Sequence, residues 1–190
     1  MLGIMDVESA RQLAEEHLAE SLPRRWTHVR AVAAAAEQVV PLVGDDAELL
    51  VSAAWLHDIG YAPDLVDTGF HPLDGARYLR ALDAPPRLCG LVANHTSAIR
   101  EAKLRGLAEP LAAEFPREKS VTADALWYCD LTTGPDGQHF SAPERLAEIQ
   151  SRYGPEHLVT QFIDNAREEL LTAIQRVEQA LMAQVPQLAI

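Results

Sequence analysis

The residues most able to do chemistry in this sequence are an adjacent histidine and aspartate, His57 and Asp58. They directly follow the apolar segment 53–56, and Gly60 comes two residues later. This context predicts that the pair lies in or near a core, where burying either group unpaired costs roughly several kcal/mol. A divalent metal would satisfy both, since imidazole nitrogen and carboxylate oxygen are ordinary ligands of Mn, Fe, Co and Zn. The alternative is a helix end, with His57 near the dipole, Asp58 solvated and Gly60 as the cap.

Further histidines and another aspartate recur where apolar helical segments meet polar turns. Taken one at a time, each is explained as a capping or surface residue. Taken together, their placement predicts that packed helices direct them into one pocket, and helical bundles commonly hold such sites. The complete set consists of His28, His57, Asp58, His71, His95 and Asp130.

The elements that must position this set are helices. Alanine and leucine dominate, β-branched runs are scarce, and no segment has a strand pattern. Apolar periodicity and helix-end signals predict helices over residues 6–19, 24–40, 47–57, 71–82, 87–95, 121–131, 143–153 and 156–185. Asp6, the turn 44–46 and Ser141 are candidate N-caps. Residues 106–119 contain Pro110 and Pro116 and are predicted to be loop-rich.

These helices predict an all-α fold class and a single domain over residues 1–190, without a repeat or an interdomain linker. The last helix carries an apolar stripe that extends along most of its length. That stripe would either complete the core or form a homodimer, and the sequence leaves both open. Its members are Leu158, Phe162, Ala166, Leu170, Ile174, Val177 and Leu181.

Charge and cysteine content restrict the classes of partner. The formal net charge of -12 disfavours a nucleic-acid polymer, which usually requires a basic surface. A small phosphorylated ligand stays compatible if a metal and local arginines neutralise it. Cys89 and Cys129 lack CxxC spacing and indicate reduced thiols. No signal-peptide pattern and no apolar run of about 18 residues is present. We therefore expect a soluble, cytoplasmic protein without a membrane partner.

Two segments carry a resemblance to a known family. AWLHDIG at residues 54–60 resembles the LLHDIG core of the HD-domain superfamily of metal-dependent phosphohydrolases, and ADALWYCD at 123–130 resembles its ADxLxxxD ending. The order His28, His57-Asp58 and Asp130 agrees with that family. The resemblance implies an HD-domain helical bundle with a metal-site core at about residues 24–133, followed by a helical C-terminal extension at 141–185.

Two additional histidines resemble ligands of HD members that bind two metals. HPLDGA at residues 71–76 resembles an HPxxG segment of such members, and His95 lies where they place a further ligand. They include diadenosine tetraphosphate hydrolases, cyclic-dinucleotide phosphodiesterases and diiron oxygenases of the HD type. The cyclic-dinucleotide enzymes carry paired histidines and a Gly-Tyr-Pro segment. Here Asn94 precedes His95 and that tripeptide is missing, which argues against this activity.

The resemblance also implies roles for the six residues. His28, His57, Asp58 and Asp130 would hold one metal. His71 and His95 would hold a second metal with Asp58 as the bridge, or would contact the phosphate if only one metal binds. Asp58, His71 and His95 are thus the catalytic candidates, with Asp58 orienting or deprotonating water. A histidine-rich set without thiolates indicates one or two divalent ions per chain, Mn, Fe, Co or Ni.

The implied function is hydrolysis of a small phosphate ester or nucleotide by metal-activated water. A diiron oxygenase and a non-catalytic ligand-binding HD module are the alternatives. Candidates for neutralising the substrate are Arg77, Arg100 and Lys103, each of which is equally explained as a solvated helix charge. His139 and Arg145 are weaker candidates for the pocket edge. We expect His17 and His157 to lie on surface helices, outside the site.

Overall fold

A computed structural model describes residues 5–184 of the chain. Within them every helix or strand assignment is helical, apart from one isolated bridge between Thr133 and His139. The α-helices are α1 (Val7–Leu18), α2 (Pro23–Val39), α3 (Ala47–Leu56), α4 (His71–Ala81), α5 (Pro86–Asn94), α6 (Ala98–Arg105), α7 (Ala108–Glu114), α8 (Val121–Leu131), α9 (Ala142–Tyr153) and α10 (Leu158–Gln184). The predicted all-α, single-domain fold is confirmed. Val185, the last residue of the predicted final helix, lies outside the described residues.

Local signals in the sequence explain where several helices begin. The Asp6 carboxylate accepts a hydrogen bond from the Ser9 amide at 2.8 Å and caps α1. Ser141 and Glu144 form a capping box at the start of α9. The turn at 44–46 was also predicted to cap, but the Asp46 side chain does not bond the first turn of α3. Its carboxylate instead accepts hydrogen bonds from Arg87 at 2.6 Å. The donor is therefore an arginine distant in sequence and not a backbone amide in the first turn of α3.

The segment predicted to be loop-rich contains a helix. Helix α7 spans Ala108–Glu114 despite Pro110, because proline is tolerated in the first turn, where its missing N–H has no intrahelical acceptor to lose. Leu111 and Phe115 are buried and attach this short helix to the core. The periodicity of so short an element is too weak to distinguish it from a loop, and tertiary burial decides its conformation.

The main core lies among α1 to α8 and depends on small side chains. Helix α2 presents Val29, Val32 and Ala33, which are buried, toward α3, which presents the buried Ala53 and Ala54. Alanine faces allow the two helix backbones to approach closely. This contact sets α2 and α3 side by side and brings the candidate ligands that they carry to the same end of the bundle.

A second, smaller core joins the last two helices to the rest of the fold. Helix α10 buries Phe162, Ala166 and Leu170 against α9 and against Trp127 and Leu131 of α8. The apolar stripe of the final helix therefore completes a core within the chain. At 27 residues α10 is the longest helix, yet no helix in the described part of the chain is both long and apolar enough to cross a membrane.

A contact between two glycines fixes the turn after His57-Asp58 against α4. A Cβ atom on Gly60 would lie 2.1 Å from the carbonyl oxygen of His71 and 2.6 Å from the amide nitrogen of Gly75. Both of these are backbone atoms that cannot rotate away. Only glycine permits this approach, which places the candidate ligand His71 beside Asp58.

We expect Gly60→Ala to destabilise the metal-free protein by about 2 to 3 kcal/mol, because the added methyl group must displace the backbone of α4. Urea unfolding followed by circular dichroism measures this. The matched control is Gly90→Ala in α5, where the new methyl group has no neighbour closer than 3.6 Å and improves helix propensity. Equal stability of Gly60→Ala and the wild type would contradict the close contact.

Candidate metal centre

The six candidate ligands come from five segments and meet at one end of the bundle. His28 lies on α2, His57 and Asp58 follow α3, and His71 begins α4. His95 follows α5, and Asp130 is near the end of α8. The structure brings all of them together in two groups, each with ligand atoms within 4.8 Å of one another. One group is His28, His57 and Asp130, and the other is Asp58, His71 and His95.

The carboxylate of Asp58 connects the two groups. Its Oδ2 atom lies 3.8 Å from His28 Nε2 and 3.4 Å from His57 Nε2. Its Oδ1 atom lies 3.4 Å from His71 Nε2 and 3.9 Å from His95 Nε2. Each oxygen thus faces a different pair of imidazoles, which is the arrangement required of a carboxylate that bridges two ions.

Backbone carbonyl groups orient three of the four imidazoles. His57 Nδ1 donates to the Ala54 carbonyl at 2.8 Å, and His95 Nδ1 donates to the Val92 carbonyl at 2.6 Å. His28 Nδ1 donates to the carbonyl of Gly134 at 3.1 Å. A carbonyl oxygen can only accept, so Nδ1 carries a proton in each of these rings, and Nε2 is the nitrogen that faces the site. This tautomer is the one that a metal ligand requires.

The nitrogen atoms that face the site lack suitable partners of their own. His57 Nε2 is buried and has no hydrogen-bond partner among the described residues. His71 Nε2 and His95 Nε2 lie 3.2 Å apart, although the His95 tautomer offers only a lone pair there. A buried imidazole nitrogen without a suitable hydrogen-bond partner is destabilising. A divalent cation in each group would satisfy these nitrogen atoms, so the residues fit a metal.

The charges at the site are also those of metal ligands. Burial favours the neutral acid of Asp58, but Arg25 and His57 hold the pKa of its carboxyl group well below the ordinary value. Burial lowers the pKa of His71 and His95 and keeps these imidazoles neutral. Burial also opposes charge on His57, but Asp58 and Asp130 raise its pKa to about 9. Without a cation, the site compensates its two carboxylates with a proton.

The HD domain family model matches residues 25–128, more than half of the 190 residues. The chain belongs to the HD domain family. The predicted resemblance is confirmed, and the match includes five of the six candidate ligands, with Asp130 two residues beyond its end. Comparison with curated proteins and with solved structures gave no match. Helices α9 and α10 lie outside the residues that the HD model matches.

An arginine that the sequence argument missed belongs to this HD site. Arg25 Nη1 donates to Asp58 Oδ2 at 2.7 Å, and its guanidinium lies 4.0 Å from the centre of the Tyr61 ring. Tyr61 in turn stacks on His71 with ring centres 3.9 Å apart. The available signal was the spacing of Arg25 and His28, since residues i and i+3 share a helix face. This stack orients both Asp58 and His71.

A strained turn after His95 positions Asp130. Thr96 and Ser97 have φ angles of 48° and 55°, the left-handed region that costs about 1 to 2 kcal/mol for each non-glycine residue. The Thr96 hydroxyl donates a short hydrogen bond to Asp130 Oδ2. The Ser97 hydroxyl donates to Glu169 of α10 at 2.8 Å. These bonds hold the turn, and they leave Asp130 Oδ1 to face His28 Nε2 at 3.2 Å.

A cavity of about 580 Å³ opens over the candidate ligands. His28, Asp58, His71, His95 and Asp130 form part of its wall, and the C-terminal helices α9 and α10 form the opposite part. This volume is within the usual range for a small-molecule site. Several arginines also line the cavity, so an anionic ligand suits it. They are Arg24, Arg25, Arg105, Arg145 and Arg152.

The residues proposed to neutralise substrate do not line this cavity. Arg77 pairs with Glu114 at 2.5 Å, and Arg100 pairs with Glu169 at 3.2 Å. Lys103 is exposed on α6. The guanidinium groups of Arg77 and Arg100 thus form ion pairs with acidic residues from other segments. No local pattern in the sequence reveals those partners.

The structure also places the two weaker candidates, His139 and Arg145, and the two histidines expected outside the site, His17 and His157. Arg145 lies in the cavity wall, whereas His139 does not. His17 is away from the site, with Nδ1 2.9 Å from an oxygen of Asp64. His157 lines the cavity, although the sequence argument placed it outside, because the turn between α9 and α10 brings it to the rim.

We expect the protein, reconstituted anaerobically with Mn²⁺, to bind about two ions per chain, and His71→Ala to bind about one, because only one of the two groups loses a ligand. Elemental analysis after desalting measures the content. His17→Ala is the control, since it removes a histidine outside the site. One ion in both the wild type and His71→Ala would contradict a second binding group.

Thr96→Val should weaken Mn²⁺ binding about 10-fold to 100-fold, because the variant removes the hydrogen bond that orients Asp130. The electron paramagnetic resonance signal of free Mn²⁺ during a titration measures the affinity. Thr122→Val is the matched control, since Thr122 donates a 2.6 Å hydrogen bond to Asp46, away from the site. If both variants bind Mn²⁺ as the wild type does, the Thr96 contact has no part in positioning Asp130.

Proposed function

We propose that the protein is a metal-dependent phosphohydrolase that cleaves a small phosphate ester or a nucleotide. The observation that carries this proposal is the position of Asp58, whose two carboxylate oxygens face two separate groups of ligands. Pairs of metal ions suit phosphoryl transfer, since together they stabilise the attacking and the leaving oxygen. Membership of the HD family and an arginine-lined cavity over the ligands support the same reaction class.

The chain's own residues would divide between the two ions. His28, His57, Asp130 and Asp58 Oδ2 would hold one ion, and Asp58 Oδ1, His71 and His95 would hold the other. When bound, a divalent ion supplies a Lewis acid for the phosphoryl oxygen and lowers the pKa of the water that it holds. The thiolate-free donor set suits Mn, Fe, Co or Ni.

In this proposal Asp58 has a structural part in catalysis. Because its pKa is held well below the ordinary value, Asp58 is a weak base that orients an attacking water better than it deprotonates one. Arg25 keeps this carboxylate charged and in place. The Tyr61 phenol is protonated at neutral pH and can donate a hydrogen bond at the cavity wall.

A diiron oxygenase is the second candidate. The observation that favours it is the same bridged set of four imidazoles and two carboxylates, which suits two redox-active irons as well as two hydrolytic ions. Oxygen consumption by the Fe²⁺-loaded protein separates the two reactions. A ligand-binding module without activity is the third alternative, and a complete set of six ligands argues against it.

With Mn²⁺, Co²⁺, Ni²⁺ or Fe²⁺ bound, we expect phosphate release from p-nitrophenyl phosphate or from members of a nucleotide panel. Asp58→Asn should lower the rate by at least about a hundredfold, because an amide cannot bridge two cations. The control is Asp124→Asn, which removes a surface carboxylate paired with Arg176. No phosphate release with any of the four metals, together with oxygen uptake by the iron form, would favour the oxygenase instead.

A further inference from the structure

Helices α9 and α10, outside the residues that the HD model matches, form one wall of the cavity. They are attached to α8, which carries Asp130, through the second core with Trp127 and Leu131. The wall therefore has a fixed position relative to the candidate ligands. It contributes both charged and apolar side chains to the cavity, and the two kinds have different consequences for a ligand.

The charged part of this wall has an unused donor. Arg145 is only 6% exposed, and its Nε atom is buried without a hydrogen-bond partner in the described part of the chain. Its Nη1 group donates to Glu148. A guanidinium that loses its hydration and keeps an unpaired N–H is destabilising, unless an anion binds to it. Because Arg145 lines the same cavity as Asp130, that anion would lie close to the metal centre.

The other arginines of the cavity wall are engaged by carboxylates. Arg24 bonds Asp136 through two nitrogens, at 2.7 and 2.9 Å, and Arg25 bonds Asp58. Arg105 bonds Glu101 at 2.8 Å.

Arg152 and Arg145 share a single carboxylate, that of Glu148. The α9 part of the wall thus carries two positive charges for one negative charge. This excess of positive charge, together with the unpaired Arg145 Nε group, distinguishes the α9 part of the wall from the rest of the cavity.

Another part of the wall is apolar. Ile149 of α9 and Val159, Phe162 and Ile163 of α10 line the cavity next to Arg145. Hydroxyl-rich groups such as sugars would lose hydration there without gaining hydrogen bonds. An aromatic or aliphatic group would instead remove both its own surface and that of the wall from water.

We propose that Arg145 and the apolar face of α9 and α10 form a recognition subsite for the organic part and one phosphoryl oxygen of the ligand. The Arg145 guanidinium donates to that oxygen, and Ile149 with Phe162 contacts an aromatic or aliphatic group bonded to the phosphate. The substrates are then phosphate monoesters of largely apolar or aromatic alcohols. This proposal rests on the phosphohydrolase function proposed above and adds the residues that select the substrate.

The test compares two phosphonates that cannot be hydrolysed, phenylphosphonate and methylphosphonate, by calorimetric titration into the Mn²⁺-loaded protein. The two share an anionic head and differ in the aromatic ring. We expect the wild type to bind phenylphosphonate about 10-fold more tightly than methylphosphonate, through burial of the ring. Arg145→Met should weaken both by about 10-fold to 100-fold, because both lose one charged hydrogen bond.

Ile149→Asn should remove the advantage of phenylphosphonate and leave methylphosphonate binding unchanged. Arg176→Met is the control, because it removes an arginine that pairs with Asp124 on the outer surface. Metal content is measured for each variant. If Arg145→Met does not fold, Arg145→Lys replaces it. Its ammonium group cannot reproduce the planar set of guanidinium donors, so binding of both phosphonates should still fall several-fold.

The possible failures are distinguishable. If the wild type binds both phosphonates and neither the Arg145 variants nor Ile149→Asn change this, the subsite is overturned and the phosphohydrolase proposal stands. If the wild type with its metal bound binds neither phosphonate, the subsite is overturned, and phosphate release from the substrate panel decides the phosphohydrolase proposal separately. A loss restricted to Arg145→Met and Ile149→Asn, with Arg176→Met unchanged, supports the subsite.

Discussion

The structure depends on keeping the Asp58 carboxylate ionised in the protein interior. A buried negative charge is tolerated only where cations or donors surround it. Arg25 from α2 and the protonated His57 after α3 supply this compensation, and the neutral His71 that begins α4 lies against the same carboxylate. The packing of small residues between α2 and α3 and the Gly60–Gly75 contact serve the same end, since each brings one of those groups within reach of the carboxylate.

The candidate site is built at helix ends, and this explains its rigidity. His57 and His95 each follow the last residue of a helix and bond the carbonyl three residues earlier, a group that the helix itself leaves unpaired. The same bond caps the helix and fixes the imidazole tautomer. The Thr96–Ser97 turn is held in a second way. Its unfavourable backbone angles are maintained by side-chain hydrogen bonds to α8 and α10.

Much of this arrangement could be predicted from the sequence, and the remainder shares one physical cause. The helices, the caps at Asp6 and Ser141 and the family follow from patterns within short segments. The misplaced or missed features depend on ion pairs between residues that are distant in sequence. These pairs are Arg77 with Glu114, Arg87 with Asp46, and Arg25 with Asp58. The apolar periodicity of a single segment contains no information about such pairs. The burial of Arg145 likewise follows from how α9 docks on α8.

Helix α8 has a different core on each side: one face belongs to the bundle that assembles the ligands, and Trp127 and Leu131 on the other face receive α9 and α10. The candidate metal centre and the cavity wall formed by α9 and α10 therefore belong to two different cores, which meet at α8. Replacement of the final helix pair would need a new fit to the outer face of α8, to α6 and to the turn after His95, where Glu169 bonds Ser97. Changes in that helix pair would thus alter what enters the cavity while the segments with all six candidate ligands keep their sequence.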